Sequence, residues 1–580
     1  MGNQIRHDKR FSCKESEQDM TIYSSNKNPM FRSQWSEDIF NQKYAHEGCE
    51  TWAELAQTLV NDVCKDNLSD DDKDTLIQHI TNLKFLPGGR YLYYAGRHRK
   101  FFNNCYLLRA EEDTREDWAE LSKKAELCLM TGGGIGVDYS RYRASGSLLK
   151  GTGGIASGPI PKALMINEIG RHVMQGGSRR SAIYGSLNWQ HADAPQFLTV
   201  KNWHEMKVPG TTKTLWDVRN VDFNFPAPLD MTNISINYDT QWLNQFWETG
   251  DLDTLFLENC RQALSTGEPG FSFNFFDKED ETLRNACCEV TSATDSDVCN
   301  LGSLNLGRID TVAELAEVVE LATKFLLCGT LRAQLPYDKI AKVREQNRRL
   351  GLGIMGLHEW LIKKGYKYEV TTELHQWLSV YRGVSDSVSR DFSDLLSISR
   401  PVANRAIAPT GTIGILAGTS TGIEPIFASA YKRRFLKDGK NWRYQYVVEQ
   451  VAREFSDLYG TDPDELDCAL SLSTEPERRI KLQAEVQAYV DMAISSTINL
   501  PAFNTKHNNP DTVKEFAIIL AKYAHRLRGF TCFPDGSRGG QPLSQVPYKE
   551  AVDKLGKDFE EHVEAADICS ITGHGGTCGV

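Results

Sequence analysis

Asn285-Ala286-Cys287-Cys288-Glu289 sets an amide, a thiol and a carboxylate at alternate positions. In an extended loop residues i, i+2 and i+4 point to one side. That spacing aims Asn285, Cys287 and Glu289 at one spot and turns Cys288 away. A hydrogen-bonding amide, a sulfur reagent and a general base together are the parts of a reaction site. By spacing alone, a chance run of polar residues fits equally well.

Outward from this stretch the chain alternates Gly-rich turns, short apolar runs and helical stretches over roughly residues 85–545. That is the pattern of an α/β domain with parallel strands and functional loops at strand ends. Gly351-Leu352-Gly353-Ile354-Met355-Gly356 matches G-x-G-x-x-G, but a charged helix or loop (KVREQNRRL) precedes it where a nucleotide fold needs a strand. Ala408-Pro409-Thr410-Gly411-Thr412-Ile413-Gly414 lacks the G-K-[ST] ending of a Walker loop. Its small residues and hydroxyls can offer amides to a phosphate, or form an ordinary tight turn. Upstream, Trp52, Leu55, Leu59, Val60 and Val63 fall on one helical face, and SDDDKDTL sets acidic residues at the start of a further helix. Residues 1–84 therefore read as an arm and a helical region, 85–545 as the main domain, and 546–580 as a flexible tail ending in ITGHGGTCGV.

Composition excludes several classes. Of 580 residues, 40% are hydrophobic and 25% charged, which is ordinary for a globular protein. There is no apolar run of transmembrane length, and the first thirty residues lack a secretory core. A cytoplasmic location is expected, in a host's cytoplasm if the source is viral. With 66 Lys and Arg against 77 Asp and Glu, net charge −11, broad binding to nucleic acid is not expected. Fourteen cysteines without a C-x-x-C pair fit neither a disulfide scaffold nor a zinc ribbon, and no metal site is expected. Most stand singly beside apolar residues, but Cys569 and Cys578 sit in a Gly-rich tail suited to a thiol that travels.

N-A-C-C-E resembles the N-x-C-x-E finger-loop motif of ribonucleotide reductases. FLPGGRYLYYAG, NNCYLL, TGGGIGVDYSRYRASGSL, GTGGIASGP, GGSRRSAI, DVCNLGSLNL, NRRLGLGIMGL, APTGTIGILAGTSTGIEP and FPDGSRGGQPL also resemble that family, in the family's order. The resemblance spans about Phe85 to Leu543. It implies a ten-stranded α/β barrel of two antiparallel-packed five-stranded parallel halves with a catalytic finger loop inside. It also implies roles. Cys287 would carry a thiyl radical that takes the ribose 3′ hydrogen, Glu289 would be the general base, and Asn285 would hold the sugar hydroxyls. Cys105 and Cys299 would be the reducing pair, re-reduced by Cys569 and Cys578 through thiol exchange with a thioredoxin or glutaredoxin type reductant. Thr410, Gly411 and Thr412 would hold the substrate phosphates. Asn104 stands where many relatives carry Ser and would contact the substrate. Asp113, the loop Lys150–Ser157, and the loop Gly176–Ser181 with Ser178 and Arg179 would bind dNTP or ATP as specificity effectors, across a homodimer.

The radical source divides the family. Class I chains use adjacent tyrosines near the C-terminus, whereas the corresponding stretch here is GFTCFPDGSR, with Cys532 and Phe533 at the relay positions. The D-G-S-R ending and the twelve-residue step from Cys287 to Cys299 resemble class II, which uses adenosylcobalamin. No D-x-H occurs, in keeping with base-on cobalamin. The class III R-V-x-G-Y tail and an N-terminal ATP-cone have no counterpart. Two other readings stay open: a class I large subunit fed by a ferritin-like radical-generating subunit, and a nucleotide-binding regulator without turnover.

Overall fold

The computed structural model describes residues 27–149, 151, 153–173, 181–222, 225–437, 441–537, 543–555 and 557–560. Cys569, Cys578, Ser178 and Arg179 lie outside these.

Three helices open the described chain: α1 (Gln34–Lys43), α2 (Trp52–Cys64) and α3 (Asp70–Thr81). Each begins at a hydroxyl cap. Ser33, Thr51 and Ser69 accept the backbone N–H groups of Ser36, Glu54 and Asp72, and Glu54 completes a capping box. The face of α2 anticipated from spacing is buried throughout: Trp52, Leu55, Leu59, Val60 and Val63 join the largest apolar cluster.

β1 (Phe85–Pro87) leads into the barrel. Five mutually parallel strands follow: β2 (Cys105–Leu108), β3 (Gly134–Asp138), β4 (Ile183–Asn188), β5 (Thr232–Tyr238) and β6 (Gly270–Phe273). A short hairpin, β7 (Leu283–Arg284) with β8 (Thr291–Ser292), precedes β9 (Asp297–Asn305) and β10 (Leu350–Met355), which are parallel to each other. The antiparallel hairpin β11 (Ala430–Lys437) and β12 (Asn441–Val448) stands outside the barrel. Then come β13 (Thr497–Leu500) and β14 (Gly529–Pro534), again parallel. β15 (Leu543–Gln545) and β16 (Asp558–Glu560) add to the outer hairpin, so the tail is ordered in part beyond 546.

The barrel closes through the second half. Leu352 bridges Arg405 and Ile407 bridges Ile494, both in parallel, so the segment at 405–407 runs between β10 and the residues leading into β13. β9, β10, that segment, the 494–500 strand and β14 make the second set of five. The two sets meet antiparallel at β2–β9 and at β6–β14. This is the ten-stranded barrel of two five-stranded halves expected from the sequence.

Alternation along each strand divides the barrel into two environments. Outward positions carry large apolar side chains that pack under helices, such as Tyr106, Ile135, Val137, Ile183, Leu187, Ile234, Ile236, Phe271, Phe273 and Phe530. Apart from Leu107 and Tyr184, the inward positions are mostly small, polar or thiol-bearing, as at Cys105, Gly134, Gly136, Ser186, Ser235, Gly270 and Ser272. A lumen lined this way leaves room for the β7–β8 hairpin.

Glycine motifs have their cause here. A Cβ on Gly136 would overlap the Arg284 carbonyl, and one on Gly134 would stand 2.8 Å from the Ala286 Cβ. The G-I-G of β3 is therefore the groove in which the finger lies. In β10, a Cβ on Gly351 would reach 2.9 Å from Cys299 Sγ, and one on Gly353 2.6 Å from the Ala406 carbonyl. The first five residues of the G-x-G-x-x-G string thus lie in a wholly buried barrel strand whose glycines relieve crowding, and Gly356 caps the helix that follows.

Candidate active site

Between β7 and β8, residues 285–290 turn inside the barrel. The loop is not extended, which corrects the sequence expectation: Cys288 has φ +70 and its N–H donates to the Asn285 carbonyl at 3.0 Å. Cys288 consequently does not turn away but lines the same cavity as Cys287. Asn285 and Glu289 still converge, since a turn also brings i and i+4 to one side.

Their meeting point is Cys105, at the start of β2. Asn285 Nδ2 donates to Cys105 Sγ at 2.9 Å, and the thiol lies 3.8 Å from Glu289 Oε1. Asn285 Oδ1 accepts the Val290 N–H at 2.9 Å, which fixes the amide's orientation. Cys105 and Cys299 are direct cross-strand partners in β2 and β9. Opposed residues of an antiparallel pair have Cα atoms about 4.5–5.5 Å apart, within reach of a disulfide. Both are free thiols in one small lumen cluster with Leu107, Leu283, Val290 and Leu301.

Burial sets the protonation states. It pushes both the Cys105 and Cys299 thiols well up, and the Glu289 carboxylate nearby adds to this, so both stay protonated at neutral pH. Cys287 also contributes to the upward push on Cys105. Glu289 itself rises from 4.5 to about 7 through burial, against smaller opposing effects of hydrogen bonds from Asn285, its own backbone and Cys105. A carboxyl poised near 7 can both take and return a proton. Glu289 Oε2 and Asn104 Oδ1 are buried acceptors without a donor, which suits hydroxyl groups of a bound ligand.

Cys287 is the exposed residue of the loop. It opens on a small cavity lined by Tyr184, Ser235, Ser272, Arg284, Ser495, Ser496 and Thr531, among others. Hydroxyls and small side chains dominate this wall. Inward and outward alternation in β14 puts Cys532 outside, where Sγ donates to the Ala263 carbonyl at 3.4 Å, and turns Phe533 inward. Neither relay position offers a phenol.

Thr410, Gly411 and Thr412 open the short helix Gly411–Ala417. Thr410 takes a left-handed φ of +52, and its Oγ1 accepts the Gly422 N–H at 2.8 Å. Because the halves run antiparallel, this strand-end loop lies at the same barrel end as Asn104 and the start of β2. Asp113 accepts from Arg143 Nε at 2.5 Å and from Trp118 Nε1 at 3.1 Å. It stands apart from the finger, at the start of the helix Arg115–Met130.

A charged network under the finger was not anticipated. Arg284 donates to Asn274 Oδ1 at 2.6 Å and to the Arg528 carbonyl at 3.1 Å, and Arg528 donates to Glu281 Oε2 at 3.0 Å. Arg349 and Ser292 bind Asp297 Oδ2 at 2.7 and 2.6 Å. Burial opposes the charge on Glu281, but Arg528 and Arg349 outweigh it and hold the carboxyl down at about 2. The sequence carried no distinct signal for it, since Asp297 stands in T-D-S-D and Arg349 in Q-N-R-R among other polar residues. Among the described residues there is no group of three or more metal-ligating side chains, and no helix long and apolar enough to cross a membrane.

A barrel of two antiparallel five-stranded halves, with a thiol-bearing finger facing a buried thiol pair, defines a class of protein. The family model "Ribonucleotide reductase, barrel domain" matches residues 103–220, 239–376 and 402–532, well over half of the chain. The chain belongs to the ribonucleotide reductase family, whose members convert ribonucleotides to deoxyribonucleotides. A vitamin B12-dependent ribonucleoside-diphosphate reductase of Mycobacterium tuberculosis is 28% identical over 533 residues, covering 83% of this chain and 74% of its own. A protein of the same name from Thermoplasma acidophilum is 28% identical over 526 residues, covering 80% and 65%. The solved class Id alpha subunit of Actinobacillus ureae shares the fold, with TM-score 0.66 over 87% of this chain and 98% of its own, at 16% identity.

Proposed function

We propose that this ribonucleotide reductase works through a thiyl radical on Cys287 and draws that radical from adenosylcobalamin. The observation that carries the residue assignment is the convergence of Asn285 and Glu289 on Cys105, itself paired across strands with Cys299. Cys287 takes the 3′ hydrogen of the ribose. Glu289 removes the 3′ hydroxyl proton through Oε2, the oxygen without a donor, while Asn285 and Asn104 hold the sugar. Cys105 and Cys299, kept protonated by burial, give a proton to the departing 2′ hydroxyl and supply two electrons, ending as a disulfide. Thr410, Gly411 and Thr412 hold the substrate's di- or triphosphate through amides and hydroxyls. Cys569 and Cys578 reduce the disulfide and pass it to a thioredoxin or glutaredoxin type protein. Asp113 with Ser178 and Arg179 binds a dNTP or ATP effector in a homodimer, and the enzyme acts in the cytoplasm.

Three features support cobalamin over a radical subunit: the small, hydroxyl-rich wall that Cys287 faces, the redox-inert Phe533 at the inward position of β14, and the names of the bacterial and archaeal relatives. Ser235, Ser272, Ser495, Ser496 and Thr531 would hold the cofactor's adenosyl side. Bound there, adenosylcobalamin supplies the initiating radical by homolysis of its Co–C bond. The test is incubation of the chain with effector, dithiothreitol, adenosylcobalamin and each ribonucleotide. Deoxyribonucleotide formed without a second subunit is the expected result. Product only on adding a ferritin-like subunit would overturn the cofactor assignment, and no product under either condition would leave the regulator reading.

A further inference from the structure

Tyr184 has no place in the chemistry above, yet it lines the cavity that Cys287 and Cys288 face. It lies on β4 in register with Gly136 of β3, the glycine pressed against the finger backbone at Arg284. Cross-strand partners point to the same face, so the phenol enters the lumen beside the finger. It is the one aromatic side chain that alternation turns inward from β2–β6. The ring is buried at 1% exposure.

Its hydroxyl is buried, with the Ser235 and Ser272 side chains as its hydrogen-bonding neighbours. Burial pushes the phenol pKa up, with Cys288 nearby adding to it, so the O–H stays intact at neutral pH. β14 brings Thr531 to the cavity and carries Phe533, which has no phenol, at its next inward position. The lumen therefore offers the finger a phenol on β4, three strands along the sheet from β14, where family resemblance looks for it.

We infer that Tyr184 is a hydrogen-atom exchange partner of the finger-tip thiol, an inference that rests on the Cys287 radical proposed above. In the exchange the Tyr184 O–H bond breaks and the Cys287 S–H bond forms. One electron and one proton move together, Cys287 is reduced from thiyl to thiol, and Tyr184 is oxidised to a neutral phenoxyl. No other reactant is needed, and the reverse step returns the radical to Cys287. S–H and phenolic O–H bonds have nearly equal strengths, so the equilibrium is balanced. A radical held on a buried phenol is shielded from solvent while substrate is absent or product leaves.

The experiment is freeze-quench electron paramagnetic resonance on the full chain with effector, dithiothreitol, ribonucleotide and adenosylcobalamin, with deoxyribonucleotide measured in the same samples. A phenoxyl signal that narrows when the chain carries ring-deuterated tyrosine, and that vanishes in Y184F, is expected. With 3-aminotyrosine in place of Tyr184, which is oxidised far more easily, the radical should accumulate and turnover fall at least tenfold. Deoxyribonucleotide formed by the wild type with no phenoxyl signal, or a signal that persists in Y184F, overturns the exchange and leaves the reductase reading intact. No deoxyribonucleotide from the wild type would overturn the underlying reading, and the exchange with it.

Discussion

Replacing Glu289 by Gln keeps the size and one acceptor of the side chain but removes its titration. In the folded chain the carboxyl moves from 4.5 to about 7 because it is buried. Each pKa unit is 1.36 kcal/mol, so the ionised form is less stable inside the barrel by about 3 kcal/mol. A base with pKa near 7 is about one-tenth ionised at pH 6 and about nine-tenths at pH 8. Deoxyribonucleotide formation at saturating substrate should therefore rise about tenfold between these values, with a midpoint near 7. Glu289→Gln should lose that limb and about 10²–10⁴ in rate. The assay is product formation by chromatography across pH 5.5–8.5, with dithiothreitol as reductant so that the tail thiols do not limit. A variant within a few-fold of the wild type, or one that kept the rising limb, would refute the assignment of Glu289 as base.

The same shift has a stability consequence. The folded carboxyl holds its proton more tightly than the unfolded one, so stability falls as pH rises from 4.5 to 7. The thermal midpoint of the wild type, relative to Glu289→Gln, should drop across that window and be flat above it. Gly136→Ala should displace the finger, because the new methyl overlaps the Arg284 carbonyl, and cost about a hundredfold in rate. Gly383→Ala, in the middle of the helix Thr372–Leu395 with nothing within 4 Å of the new methyl, should instead raise stability by about 1 kcal/mol in a denaturant titration. Cys569→Ser or Cys578→Ser should stop repeated turnover with thioredoxin and be largely rescued by dithiothreitol; equal failure with both reductants would remove the shuttle role.

How far the sequence carried the fold depended on the element. The α2 face was legible because helical spacing is a local property, and every residue expected inside is buried. The barrel was legible only through its ordered motifs. Strands β2 to β6 alternate large outward and small inward residues, but each is only four to seven residues long, too short for period alone to fix a topology. Closure rests on single bridges at Arg405 and Ile407, which no local pattern marks. In the site, Asn285 and Glu289 were found by spacing even though the loop is a turn, since both conformations bring positions four apart together. Cys288 was misjudged for the same reason: its left-handed φ keeps it in the cavity. Tyr184 and the Arg284–Arg528–Glu281 network came from long-range packing, and an isolated tyrosine or arginine carries no mark of it.

The central claim is that radical chemistry starts on Cys287. Its most direct test is the electron paramagnetic resonance spectrum of wild type and Cys287→Ser, each frozen within a second of mixing with adenosylcobalamin, effector and dithiothreitol. The wild type should show cob(II)alamin coupled to a sulfur radical and go on to form deoxyribonucleotide when substrate is added. Cys287→Ser should show neither the coupled signal nor product with any reductant. The same coupled spectrum in both proteins, or deoxyribonucleotide made by Cys287→Ser, would contradict it.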